Sequence, residues 1–93
     1  MPSPAPDTSF VTLRYFAWVR EKTGLSEERM TLPAHVQTAG DLLAWMPTRG
    51  AEFAAAFAKP DAIRVAFDRT HVRPGTAIGA AREIAFFPPV TGG

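Results

Sequence analysis

Cysteine is absent from all 93 residues, so neither a disulfide framework nor a thiolate zinc site can reinforce the fold, and no cysteine nucleophile is available. A reducing compartment is the expectation. Histidine is nearly as scarce: His35 and His71 lie far apart, with His35 in a loop beside Pro33, so no metal site is expected. Ser3, Ser9 and Ser26 are the only serines, and none sits in a strand-turn-helix elbow of the G-x-S-x-G kind, which excludes a serine hydrolase. The seven glycines form neither G-x-G-x-x-G nor a P-loop, so nucleotide binding by the domain itself is not expected. No apolar run approaches the ~20 residues of a membrane span, and the N-terminus lacks the pattern of a secretory signal. The expected location is the cytoplasm, with no membrane partner.

A dominant charge is also missing, since ten Lys and Arg against nine Asp and Glu leave a net charge of +1. Nucleic-acid binding normally needs a basic stripe. Arg64, Arg69, Arg73 and Arg82 do gather in the second half, but Asp61, Asp68 and Glu83 are interspersed among them. That cluster reads as a solvated rim, with an acidic partner protein as the alternative.

What remains is one small domain with a thin core. Residues 1–9 carry Pro2, Pro4 and Pro6 among Ser, Ala and Asp, and read as a disordered arm. The domain proper is expected over 10–87. A first strand spans 10–17, with Val11, Leu13 and Tyr15 on one face and Thr12, Arg14 and Phe16 on the other. Residues 17–23 are helix-compatible and stop at Gly24, after which Arg29 to Leu32 resume alternation and complete a hairpin with a wide connection. Pro33 ends that second strand. Thr38 and Asp41 resemble a capping box for the main helix, which Pro47 and Gly50 interrupt; a second helical piece covers 51–58. Ile63 to Asp68 alternate as a third strand, a short fourth lies near His71 and Val72, and Glu83 to Phe87 form the last, with Ile84 and Phe86 opposed to Ala85 and Phe87. The order β-β-α-β-β-β predicts an α+β fold, a mixed sheet with a helix on one face. The β-grasp, with first and last strands parallel in the middle, satisfies it.

The sequence ends Phe86-Phe87-Pro88-Pro89-Val90-Thr91-Gly92-Gly93. Two prolines cannot donate to a ladder and favour an extended backbone, so the sheet is expected to stop at Phe87 and residues 88–93 to project as a tail. Extended at up to ~3.6 Å per residue, such a tail reaches about 20 Å. Gly92 and Gly93 put the terminal carboxylate on a thin backbone able to enter a narrow site where any Cβ would clash. Strand alternation also directs Phe16 and Phe87 away from the helix, beside the tail, as a docking patch.

That ending, with Tyr15-Phe16-Ala17, Val19-Arg20-Glu21 and Gly24, resembles the small subunit of molybdopterin synthase, the MoaD-type sulfur carrier of the ubiquitin-like β-grasp proteins. The resemblance covers residues 10–93. Asp68 stands where the family often has Asn, and Ala81-Arg82 where it has Gly-Asp. The resemblance implies a non-catalytic carrier that binds no cofactor. An E1-like adenylating enzyme uses ATP to activate Gly93, a sulfur donor converts it to a thiocarboxylate, and the tail, from Pro88 and Pro89 through Val90, Thr91 and Gly92, threads into the large synthase subunit. His71 matches a position where the family places an apolar contact residue, and so joins Phe16 and Phe87 as partner-binding. A thiamine-pathway sulfur carrier and a ubiquitin-like protein modifier are the alternatives.

Overall fold

The computed structural model describes residues 10–89; the expected arm over 1–9 and the end of the tail over 90–93 lie outside the described residues. Five strands form one mixed sheet: β1 (Phe10–Tyr15), β2 (Glu27–Thr31), β3 (Arg64–Phe67), β4 (Thr70–Val72) and β5 (Glu83–Phe87). Their spatial order is β2-β1-β5-β3-β4. β1 and β5 run parallel at the centre, with Tyr15 opposite Phe86, and the other pairs are antiparallel. The expected topology is therefore present.

Period-two alternation places Val11, Leu13, Tyr15, Val65, Phe67, Ile84 and Phe86 on one face, all buried. Helix α1 (Ala17–Thr23), α2 (Ala39–Trp45) and α3 (Ala51–Ala56) contribute Val19, Leu42, Leu43 and Ala56 to the same core, together with Met46 and Phe57 beside them. Phe86 is the aromatic hub. Its ring stacks on Tyr15 at 5.6 Å between centroids and meets the edge of Phe57 at 5.1 Å. Burial of one such side chain contributes about 1.5–3 kcal/mol.

Local signals set the helix boundaries. Gly24, at φ 79°, closes α1 by donating its N–H to the Arg20 carbonyl. Thr38 Oγ1 accepts from the Asp41 N–H while the Asp41 carboxylate accepts from the Thr38 N–H, so the expected capping box is complete. Pro47 turns the chain into a 3₁₀ segment, Met46–Arg49, before Gly50, at φ 149°, opens α3.

Several boundaries differ from the sequence reading. β1 ends at Tyr15 rather than at 17, because Ala17 adopts φ 53° and swings the chain into α1. β2 begins at Glu27 rather than Arg29, and α3 stops at Ala56 rather than 58. The β3–β4 turn uses Asp68 and Arg69 at φ 50° and 73°, the left-handed pair that a two-residue hairpin turn requires.

Candidate functional site

The site is the end of the central strand pair, where β5 leaves the sheet. Phe16 donates its N–H to the Phe86 carbonyl at 3.1 Å, and one residue later Ala17 carries the chain away into α1. β5 thus loses its β1 neighbour at Phe87, while on its other side Phe87 still faces Arg64 of β3. Pro88 and Pro89 follow, half-buried and outside any strand. Neither has an N–H to extend the ladder, so the sheet stops where the prolines dictate. Val90, Thr91, Gly92 and Gly93, expected to continue the tail, lie outside the described residues.

Two aromatic rings flank this exit on the helix-free face. Phe16 is 41% exposed, and the Arg14 guanidinium lies 5.7 Å from its ring centroid. Arg14 is itself held by Glu83 at 3.2 Å and Glu27 at 3.8 Å. Phe87 faces the same way but is half-buried, because His71, reaching from β4, places its ring 5.4 Å away at 47°. Both rings are on the expected face, but the expectation of two exposed rings is corrected: only Phe16 is exposed, and Phe87 is half-buried with His71 against its ring. Ala66, opposite His71, and Ala85, opposite Ala66, add only methyl groups to the neighbouring row of this face.

A second cluster escaped the sequence reading. On the core face, where the hairpin meets the 3₁₀ segment, Tyr15 donates its hydroxyl to Glu28 Oε2 at 2.6 Å, and Arg49 grips both Glu28 oxygens at 2.6 and 2.9 Å. The Arg49 guanidinium lies 4.1 Å from the Phe53 ring centroid. Hydrogen bonding from Arg49, and secondarily from Tyr15, holds the Glu28 carboxyl below its usual range against the opposing effect of burial. Burial, reinforced by the neighbouring carboxylate, pushes the Tyr15 phenol well above its ordinary value. This arrangement is a structural clamp tying β1 and β2 to the 3₁₀ segment that follows α2.

The loop entering β5 is pinned by Asp68. Its Oδ1 accepts from both the Arg82 and Glu83 N–H groups at 2.9 Å, while its own N–H donates to the Glu83 carbonyl at 2.8 Å. At a position where the resembled family often has Asn, a carboxylate serves as acceptor; a short polar side chain also tolerates the left-handed backbone of the turn. Among the described residues no group of three or more His, Cys, Asp or Glu is placed to hold a metal ion. No helix of the described residues is long and apolar enough to cross a membrane.

A five-stranded mixed sheet with a parallel central pair and its helices on one face only defines a ubiquitin-like β-grasp domain. The chain belongs to the ThiS family, which matches residues 13–93, and so to the small ubiquitin-like sulfur carriers of the MoaD/ThiS type. Several solved structures share the fold, three of them as follows. SAMP1 from Haloferax volcanii is 26% identical, with 90% of this chain and 99% of that chain covered at a TM-score of 0.65. A second structure from that organism, small archaeal modifier protein 1, is 23% identical with 88% and 99% covered at 0.60. A Pyrococcus furiosus protein assigned as molybdopterin converting factor, subunit 1, is 22% identical with 87% and 98% covered at 0.61.

Proposed function

We propose that the chain is the sulfur-carrier subunit of a molybdopterin synthase, acting through the carboxylate of Gly93. The observation that carries this reading is the end of β5: a central strand that leaves the sheet at Phe87 through Pro88 and Pro89, beside Phe16 and Phe87, and leads into Val90-Thr91-Gly92-Gly93. A carboxylate carbon resists sulfur nucleophiles because its leaving group is poor. An E1-like adenylating enzyme overcomes this by letting a Gly93 oxygen attack the α-phosphate of ATP, releasing pyrophosphate and forming an acyl-adenylate. A hydrosulfide equivalent from a sulfur donor then forms the C–S bond as the C–O bond to AMP breaks. In the large subunit the thiocarboxylate sulfur forms a C–S bond to a side-chain carbon of the pterin precursor as an oxygen substituent leaves that carbon, and water then cleaves the acyl–sulfur bond, returning the Gly93 carboxylate; a second carrier repeats the step for the other dithiolene sulfur.

The chain's own contribution is mechanical. Pro88 and Pro89 restrict the free tail, which lowers the entropy lost on threading, about 1–2 kcal/mol for each residue ordered. Phe16, Phe87 and His71 dock both partners in turn. The chain binds no cofactor itself; ATP is bound by the adenylating partner. The direct test mixes thiocarboxylated chain with large subunit and pterin precursor, and dithiolene-bearing pterin is the expected product. The likeness to small archaeal modifier protein 1 favours a second reading, conjugation of Gly93 to lysines. Gly93-linked lysine peptides in digests of cells expressing the chain would support it, and a thiazole product in place of a pterin would move the chain to the thiamine pathway.

A further inference from the structure

The β3–β4 corner carries two features that the aromatic patch leaves unused. The first is charge. On the helix-free face Arg64 stands opposite Phe87 and His71 opposite Ala66, and Arg73 follows Val72 at the end of β4; all three polar side chains are exposed. Among the described residues no carboxylate forms an ion pair with Arg64 or Arg73. The opposite flank differs, since Arg14 is engaged by Glu83 and Glu27. One side of the tail exit is neutralised and the other is left cationic.

The second feature is shape. Between α2 and the β3–β4 edge runs a cleft of about 450 Å³ whose apolar wall includes Leu43, Ile63, Val72 and Pro74, with Asp61 and Arg64 as its charged lining. Arg64, Val72 and Pro74 also line a shallow depression together with His71 and Arg73, so cleft and cationic surface are continuous. β4 is an edge strand of three residues, and among the described residues no strand pairs with its outer side.

We propose that this corner docks an acidic segment of the protein that activates the tail, with carboxylates over Arg64 and Arg73 and an apolar side chain in the cleft. The proposal rests on the carrier reading. Arg64 lies across the ladder from the last residue before the prolines, so a segment held there sits at the root of the tail. Uncompensated charge on one flank steers encounter and fixes orientation, and an apolar anchor prolongs the contact. Phosphates would also be attracted, yet the cationic groups are interrupted by Asp61 and adjoin an apolar cleft, which suits a polypeptide better than a nucleic-acid backbone.

The test is titration calorimetry with the E1-like adenylating enzyme of the same genome, at several salt concentrations, for the wild type, the double variant Arg64→Glu/Arg73→Glu and the control Lys22→Glu/Lys59→Glu. The expected result is a Kd weakened by about tenfold or more in the first variant only, with a flattened salt dependence and an unchanged thermal midpoint. A Kd within about twofold of wild type, or an equal loss in the control, overturns the proposal. So does wild-type binding to random-sequence single-stranded DNA as tight as to the enzyme at the same salt. Intact mass at saturating enzyme, ATP and sulfur donor separates the two claims. Wild-type thiocarboxylate with an unchanged variant Kd removes the docking corner alone, whereas no wild-type thiocarboxylate and no binding removes the carrier reading with it.

Discussion

The two faces of the β1–β5 pair are made from alternate residues along β5 and along β1 with Phe16 just beyond it, and they differ in almost everything else. Inward, Tyr15 and Phe86 are 1% and 0% exposed, stacked on each other and capped by Phe57. Outward, Phe16 is 41% exposed and Phe87 half-buried, each with a single cationic or imidazole neighbour on its ring. Aromatic side chains in adjacent positions therefore have different surroundings. The inward pair gives up nearly all its surface to the fold, whereas the outward pair leaves part of its surface open to solvent, as the proposed docking of a partner requires.

The strongest way to break this contrast is Phe86→Ala, expected to cost about 3–5 kcal/mol in denaturant unfolding because it removes the hub of the aromatic core. A loss under about 1 kcal/mol would mean that the inward face does not hold the domain together. Next comes the clamp beneath it. Arg49→Ala leaves Glu28 with only the Tyr15 hydroxyl, and both Arg49 and Glu28 are partly solvated, so the expected cost is about 1–2 kcal/mol. The sign of its pH dependence follows from the depressed Glu28 carboxyl. Its stabilisation is full above the unfolded carboxylate value of about 4.3 and fades as pH falls through the lower folded value. Unfolding curves from pH 7 to pH 2 should show a shallower acid loss in Arg49→Ala than in wild type. The phenol adds the opposite sign, since Tyr15 is raised when folded: its contribution is present below about pH 10 and is lost as pH rises further.

A smaller effect on stability and a larger one on binding sharpen the contrast from the other side. Phe87→Ala should weaken complexes with both the adenylating enzyme and the large synthase subunit by more than about 1 kcal/mol, while destabilising the domain less than Phe86→Ala. Unchanged affinities in calorimetry, or the reverse order of stability, would show the faces to be assigned backwards. The smallest effect is expected far from either face. Thr38→Ala removes one half of the capping box on α2 and should cost about 1 kcal/mol in a thermal melt without altering partner affinity.

The inward and outward assignments were legible because strand alternation is a local signal. Val11-Leu13-Tyr15 and Ile84-Phe86 announce their face within one element, and Thr38 with Asp41 announces a helix start within one turn. Pro88 and Pro89 likewise mark the end of β5 by their own chemistry. The clamp was not legible, because Tyr15, Glu28 and Arg49 come from three elements and meet only once the hairpin and the 3₁₀ segment are assembled. Nor was the contrast between Arg14 and Arg64. In sequence both are arginines in alternating strands; the register places Arg14 beside Glu27 and Glu83 but sets Arg64 opposite Phe87. The resemblance alone suggests His71 as a contact residue, and only the β3–β4 pairing shows that its ring lies against Phe87.

The central claim is that Gly93 carries sulfur, and intact mass spectrometry tests it most directly. Purified chain is incubated with ATP, an E1-like adenylating enzyme and a sulfur donor, alongside a variant lacking Gly92 and Gly93. The account predicts that wild type gains the mass of one sulfur in exchange for one oxygen, on the C-terminal peptide alone, and that the truncated chain folds normally and gains nothing. A wild-type chain that stays at its original mass under saturating enzyme, or a truncated chain that gains sulfur equally, would contradict it.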